Sequence, residues 1–438
     1  MTKRHVIVGG GTAGLNAILT IREMERVASE IVLVSAERPY SRMVLPYYLG
    51  RTISESHVFT LSPARLAQLR VRTHIGQPAR ALDASANRLT LADGTSLEYE
   101  DLLIATGSSA TKAPVSGADL PGVHSFWTLE QARKVVAQIH EGSQVVMVGA
   151  GFIAFTILNA ILALKARLTV VEIAPQILPR MIDRTGAEMV ARWLTRHGVT
   201  IRTGANLTAI EEVAGRKRLR FLEGQDLLAD VVIMATGIRT NLEWLNGSGV
   251  RVNRGILVDD HLRSNIPNIY AAGDVAEGRD LVSGQPAVHA IEPTAMEHGR
   301  VAGANMAGRD VVYRGSLLMN IVEVCHLDIA SFGAWDDPTA EVFAAARPEG
   351  WAYRKLLWRG ERLIGAMILG RANDIWTTND VGMLKGLVQS GKSLGPWKDH
   401  LRCNPFDIKP AFIASGTTAH LLPETILGRP SVPAGQVT

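Results

Sequence analysis

The stretch His5-Val6-Ile7-Val8-Gly9-Gly10-Gly11-Thr12-Ala13-Gly14-Leu15 decides the fold. Three β-branched residues run into a G-x-G-x-x-G spacing, and a helical pattern continues through Met24. A second apolar run, Ile31 to Val34, ends near Glu37, 23 residues beyond Gly14. Strand, glycine turn, helix and strand in that order are the context in which this spacing signifies a dinucleotide site. The glycines let the backbone turn tightly and approach a pyrophosphate, whose charge meets the free N–H groups at a helix start. Glu37 stands where a carboxylate accepts hydrogen bonds from a ribose.

The unit occurs twice. Residues Gln144 to Ala154, QVVMVGAGFIA, repeat the strand, the glycine turn and the start of a helix, with alanine in the third glycine position. Leu168 to Val171 supplies the next strand and Glu172 stands at its end. No Arg or Lys lies between Glu172 and Pro179, so a free 2′-hydroxyl is welcome and a 2′-phosphate is repelled. NADH is therefore expected over NADPH. Two such units imply two bound dinucleotides.

The rest of the composition excludes other classes. The 438-residue chain is 47% hydrophobic and 20% charged, enough apolar content for about three domains or two large ones. Its formal net charge of +4 is spread along the chain, which gives no footprint for nucleic acid. Cys325 and Cys403 are its only cysteines and form no C-x-x-C, so a disulfide scaffold, a zinc site and a dithiol centre all lack ligands. No metal site is expected. The charged start, Thr2 to His5, meets only three apolar residues before Gly9, where a secretory signal needs about seven or more. A cytoplasmic protein is expected. The uncharged run 145–164 has the length of a membrane span. Gly149, Gly151, Thr156 and Asn159 fit a buried strand, a turn and an apolar helix instead, so no transmembrane span is expected.

Six segments, taken together, resemble a known family. They are Gly9 to Gly14; Pro39-Tyr40-Ser41-Arg42; Leu102 to Gly107; Gly149 to Ala154; Ala235-Thr236-Gly237; and Asn268 to Asp274. In this order they resemble the FAD-dependent pyridine nucleotide–disulfide oxidoreductases, in the branch of NADH oxidases, ferredoxin and rubredoxin reductases and the flavin module of nitrite reductases. The resemblance implies an α/β fold with two Rossmann-like dinucleotide-binding domains. The FAD domain would be discontinuous, residues 1–115 and 249–312, with an NAD domain inserted at 116–248. An α+β interface domain would follow at 313–400, and an extended arm at 401–438.

The resemblance also implies site residues. FAD would be held by Gly9, Gly11, Thr12, Ala13 and Gly14, by Glu37, Arg38 and Arg42, and by Ala105, Thr106 and Gly107. Gly273 and Asp274 would complete that site, Asp274 accepting a hydrogen bond from a ribitol hydroxyl. A helix from about Pro293 to Met306, beginning with Pro293 and Thr294, would set its N-terminus against the flavin's pyrimidine edge. NAD(H) would be held by Gly149, Gly151, Phe152, Ile153, Thr156 and Glu172, with Ala235, Thr236 and Gly237. His289 and Glu292, just before the flavin-facing helix, are the candidates for handling a proton at the ring, with structural roles as the alternative.

Departures from the family pattern narrow the chemistry. Relatives that reduce disulfides or peroxides carry a redox cysteine soon after the first acidic residue; here Tyr40 to Leu49 contains none. Thiol-mediated chemistry lacks its sulfur. Tyr47 falls near where several relatives place a lysine beside the flavin, and Thr156 stands where they usually place a glutamate near the nicotinamide. A hydroxyl binds a carboxamide more weakly than a carboxylate does. The predicted helix from Phe152 to Lys165 has only Thr156 and Asn159 as polar residues before Lys165. Its outward face is expected to be covered by the C-terminal region or another subunit.

Toward the C-terminus, Leu356 to Ile368 reads as a β-hairpin with a charged turn at Arg359 to Arg362, and a helix is expected over Thr378 to Val388. Cys325-His326 is expected within a strand as a core cysteine and an edge histidine, and Arg216 to Arg218 as a solvated hairpin tip. The Pro- and Gly-rich stretch from Gly395 reads as a surface arm whose Trp397, Phe406 and Phe412 grip a second subunit. The resulting expectation is an enzyme that moves electrons between NADH and a protein acceptor or donor, such as an iron–sulfur protein or redoxin, through FAD. Two alternatives stand beside it: a flavin-bearing relay subunit of a larger complex, and a cysteine-free NADH oxidase or quinone reductase. A homodimer or a hetero-oligomeric complex is expected.

Overall fold

The structure is a computed structural model and describes residues 3–25 and 28–417. Strand Arg4–Val8 is the centre of a five-stranded parallel sheet. Glu30–Ser35 and then Val71–Ile75 lie on one side, and Asp101–Ile104 and then Ile269–Ala271 on the other. Val6, Ile7 and Val8 are buried, as a central parallel strand covered on both faces requires. The fifth strand comes from far along the chain, after the second nucleotide unit has been completed. This makes the first unit discontinuous.

The second unit repeats the plan. Gln144–Val148 is flanked by Arg167–Val171 and Thr200–Arg202 on one side and by Val231–Met234 and Val123–Ser125 on the other, all parallel. Two short strands, Ser108–Ala110 and Ile238–Thr240, pair antiparallel and carry the chain between the units. The mixed α/β architecture is thus two Rossmann-like units followed by a third sheet.

That third sheet is five-stranded and antiparallel, in the order Met319–Val324, Leu327–Gly333, Arg362–Arg371, Ala352–Arg359 and Glu341–Arg347. It explains the apolar helix, which spans Phe152–Ala163. Val322 and Val324 of the sheet's edge share a core with Phe155, Leu158 and Ile161. The Asn159 amide donates to the Glu323 carbonyl at 3.0 Å and accepts the Cys325 N–H at 2.9 Å. The cover belongs to the same chain, and the helix needs no polar stripe on that side.

Three expectations are corrected here. Cys325 and His326 do not lie in a strand: both have positive φ and form the two-residue tip between Met319–Val324 and Leu327–Gly333. Such a tip matches the right-handed twist of its strands, which the apolar residues on either side conceal from a local reading. Arg216, Lys217 and Arg218 open strand Arg216–Phe221, the turn being at Ala214-Gly215, and Lys217 is buried against Glu212. The expected arm is helical over Pro396–Cys403 and Ile408–Ala414. Leu401, Ile408 and Ala411 enter the core beneath the third sheet, where Trp397 and Phe412 also pack, and Phe406 lies under Arg347. These aromatics therefore serve their own domain. The part of the expected arm from 418 to 438 lies outside the described residues. Among the described residues, no helix is long and apolar enough to cross a membrane.

Candidate functional site

The first glycine cradle is built by close approach. A Cβ on Gly9, whose φ is +119°, would fall on the Ala105 carbonyl oxygen, and one on Gly14 would fall on that of Gly9. Gly11 differs: a Cβ there would meet nothing within 4 Å. The middle glycine thus faces open space at the start of helix Thr12–Glu25, whose first N–H groups have no partner within the helix. That space fits a pyrophosphate. Helix Glu292–Met306 packs alongside, because Gly299 and Gly303 let its backbone lie on Ala13 and Ala17. Its start is thereby held beside the cradle, with Thr294 buried and Pro293 exposed.

Two carboxylates edge this cradle. Glu37 accepts a hydrogen bond from the Tyr40 hydroxyl at 2.8 Å, with the Arg42 guanidinium 3.7 Å away. Asp274 accepts one from the Ser108 hydroxyl at 2.6 Å. Asp274 keeps some accessible surface but is enclosed on most sides. That burial raises its carboxyl above the ordinary range, while the Ser108 hydrogen bond and the Arg42 charge pull it back. The Arg42 guanidinium donates to the Ser108 carbonyl at 2.8 Å, and so does the Trp127 indole at 2.7 Å. Arg38 is exposed and stacks on the Phe59 ring. Ser108, Trp127 and Tyr40 were not nominated as site residues from the sequence. Ser108 adjoins the nominated Gly107, and that adjacency is the only local signal for it.

Thr106 and Thr236 hold the two units together rather than face a ligand with their hydroxyls. Thr106 Oγ1 donates to the Asn241 carbonyl and Thr236 Oγ1 to that of Thr111. Gly107 and Gly237 both have positive φ at the same crossings.

The second cradle has the same logic. A Cβ on Gly149 would fall on the Ala235 carbonyl oxygen, whereas one on Gly151 would meet nothing within 4 Å. Phe152 and Ile153, half-buried, open the following helix. The Thr156 hydroxyl donates back to the Ile153 carbonyl at 2.7 Å. Glu172 is buried and accepts the N–H groups of Ala150 at 2.6 Å and Ala174 at 2.9 Å. The acidic residue therefore braces the glycine loop itself. A carboxylate has about four acceptor positions, so lone pairs remain for a ribose hydroxyl.

The two proton-handling candidates part company. Glu292 is the first residue of its helix, and its Oε1 accepts both the Thr12 hydroxyl at 3.0 Å and the Ser41 hydroxyl at 2.9 Å. It joins three walls of the first cradle. His289 is buried, its Nδ1 2.6 Å from Ser316 Oγ and its Nε2 3.3 Å from Asp280. His298, on the same helix as Glu292, is buried and accepts the Gly273 N–H, and burial, aided by His289, pushes it down to about 3. It stays neutral and steadies the turn that carries Asp274. On that helix the Glu297 carboxyl is pushed up to about 7 by burial, with Lys385 and Arg300 opposing. No sequence motif marks this carboxyl.

Asp280 carries a pH prediction. Burial works to raise its carboxyl, but hydrogen bonds from His289 and Ser283 outweigh it and bring it from 3.8 to about 2. A depressed carboxyl stabilises the fold above its unfolded value and loses that contribution as pH falls from about 4 to about 2. The loss amounts to about 2 kcal/mol. Asp280→Asn should flatten the acid limb of a Tm-against-pH curve, and an unchanged limb would contradict this account.

Burial, with Glu323 adding to it, pushes the Cys325 thiol up to about 11, so it is not a ready nucleophile. Cys403 is exposed at the end of helix Pro396–Cys403. Among the described residues, no group of three or more His, Cys, Asp or Glu side chains could hold a metal ion.

Comparison with known proteins agrees with this geometry. A family model described as pyridine nucleotide-disulphide oxidoreductase matches residues 3–299. The epsilon subunit of NADH-dependent phenylglyoxylate dehydrogenase from Aromatoleum evansii is 31% identical over 92% of this chain and 96% of its own length. An NADH oxidase from Methanocaldococcus jannaschii is 30% identical over 75% of this chain and 76% of its own. Among solved structures, an NAD-dependent persulfide reductase from A. fulgidus superposes with a TM-score of 0.84 at 26% identity, covering 95% of this chain and 83% of that one.

Proposed function

The chain belongs to the pyridine nucleotide-disulphide oxidoreductase family, and on that premise we propose that it passes electrons from NADH through FAD to a protein acceptor without a redox thiol. That it is an NADH-dependent flavoprotein oxidoreductase using FAD and NAD(H) follows from the family and its relatives. The acceptor is our reading. The observation that carries it is the pair of open glycine cradles, at Gly11 and Gly151, combined with a cysteine-free Tyr40 to Leu49 segment. When bound, FAD takes a hydride from NADH and can release electrons one at a time.

The chain's own residues bind and orient. The first-turn amides after Gly11 would hold the FAD pyrophosphate, Glu37 and Asp274 would accept ribose and ribitol hydroxyls, and the start of helix Glu292–Met306 would favour negative charge on the ring. Glu172, with no Arg or Lys before Pro179, favours NADH over NADPH.

A second reading is favoured by one relative. The Aromatoleum protein that matches almost end to end is named as a subunit, which supports a role as the flavin-bearing component of a larger oxidoreductase. Anaerobic stopped-flow mixing tests the set. NADH should bleach the flavin at least about tenfold faster than NADPH, and an iron–sulfur protein or redoxin should restore the colour. No bleaching with FAD retained would support the relay subunit, and prompt re-oxidation by air or quinone would support a direct oxidase.

A further inference from the structure

Both carboxylates assigned to FAD lead back, through hydrogen bonds, to one three-residue stretch of the other nucleotide unit. Trp127, Thr128 and Leu129 follow the edge strand Val123–Ser125 of the second sheet and open helix Leu129–Gln138. The Leu129 N–H donates to the Tyr40 hydroxyl oxygen at 2.8 Å, and that hydroxyl donates to Glu37 Oε2 at 2.8 Å. The Trp127 indole N–H donates to the Ser108 carbonyl at 2.7 Å, and the Ser108 hydroxyl donates to Asp274 Oδ2 at 2.6 Å. Two separate chains of hydrogen bonds therefore run from one bracket to the two acidic groups.

The bracket is itself held. Gln131 Oε1 accepts the N–H groups of Trp127 at 2.8 Å and Thr128 at 3.1 Å, while Thr128 Oγ1 accepts the Gln131 N–H at 3.3 Å. This capping box ties the bracket to its helix before any ligand arrives. The intermediates have little slack. Tyr40 is buried and its hydroxyl both accepts and donates; the Ser108 carbonyl receives two donors, Trp127 and Arg42, and carries two lone pairs. Ser108 is fully buried, so water cannot replace a lost partner without repacking.

We propose that Trp127–Leu129 is a positioning bracket through which the NAD-binding unit orients Glu37 and Asp274 for FAD. The proposal rests on the reading of those two carboxylates as FAD-holding groups. A carboxylate fixed in its bound geometry loses less rotamer freedom when the cofactor arrives, so the bracket contributes to FAD affinity without touching FAD.

The test uses the full chain. Trp127→Phe keeps an aromatic ring and removes the indole N–H, and Tyr40→Phe removes only the hydroxyl. Each should raise the Kd for FAD about tenfold, with the double variant close to the product, because the two chains end on different carboxylates. Each should also shift the bound flavin's absorption envelope and midpoint potential, which a purely structural role would leave in place. Gln131→Ala loosens the bracket without entering either chain. It should weaken FAD about threefold, so the proposal stays testable if the aromatic variants fold poorly. A lowered Tm with FAD Kd and potential unchanged would overturn the bracket. Glu37→Gln and Asp274→Asn separate the premise from the proposal. If these bind FAD like the parent, the assignment of the carboxylates falls with it; if they weaken binding while the bracket variants do not, the bracket alone fails.

Discussion

Gly11→Val should yield a folded protein that no longer retains FAD. The backbone at Gly11 is not in the left-handed region and a Cβ there meets no protein atom within 4 Å, so the apoprotein has room for the side chain. The room it takes is the cradle. Overpacking of about 3 kcal/mol against a phosphate held by fixed amides corresponds to about a hundredfold in Kd. Gly9→Ala is the contrast. Its single methyl would fall on the Ala105 carbonyl oxygen at a φ of +119°, so it should fail at folding rather than at binding. Visible absorbance per chain after purification, with circular dichroism and Tm, separates the two. A Gly11→Val protein that keeps stoichiometric FAD would refute the assignment of the first cradle.

Asp380→Ala, on the helix Ile375–Ser390 that packs on the C-terminal sheet, should cost the protein a large part of its stability. The Arg354 guanidinium is buried there, with Nε and Nη2 donating to Asp380 Oδ2, Nη2 also to Thr377, and Nη1 to the carbonyls of Leu369 and Tyr353. Removing one partner leaves a buried charge uncompensated, which costs about 3–5 kcal/mol. Replacing both, as Arg354→Met with Asp380→Leu, removes the charge and should recover most of that loss. Thermal unfolding of the holoenzyme reads both variants. FAD retention below the transition should be unchanged, since neither residue touches a glycine cradle. Equal destabilisation by the single and the paired substitutions would show that packing, not charge, holds this corner.

Glu172 and Glu292 show how far a motif reaches. Each was nominated by its place along the chain, Glu172 at the end of a strand and Glu292 just before a helix. In the fold Glu172 braces Ala150 and Ala174, and Glu292 links Thr12 to Ser41. Position along a strand tells that a carboxylate reaches the cradle; it does not tell which amides or hydroxyls occupy its lone pairs. The C-terminal helices were missed for a related reason. Pro396 and Pro410 read as breaks in an arm, yet proline suits the first turn of a helix, where its missing N–H is not needed.

The two nucleotide units and their order were legible in the chain itself; the interruption of the first by the second was an expectation from the family resemblance alone. Strand, glycine and helix are specified within about thirty residues, and part of what selects glycine is local: the positive φ at Gly9 and Gly149, and the Gly9 carbonyl that a Cβ on Gly14 would strike. The bracket was not legible. Trp127 reaches Ser108 across 19 positions and Leu129 reaches Tyr40 across 89, and a hydrogen bond to a backbone carbonyl or amide imposes no residue type on the partner that supplies it. Only the packed tertiary structure, which brings the second unit's edge strand against the first unit's cradle, decides which donors fill those lone pairs.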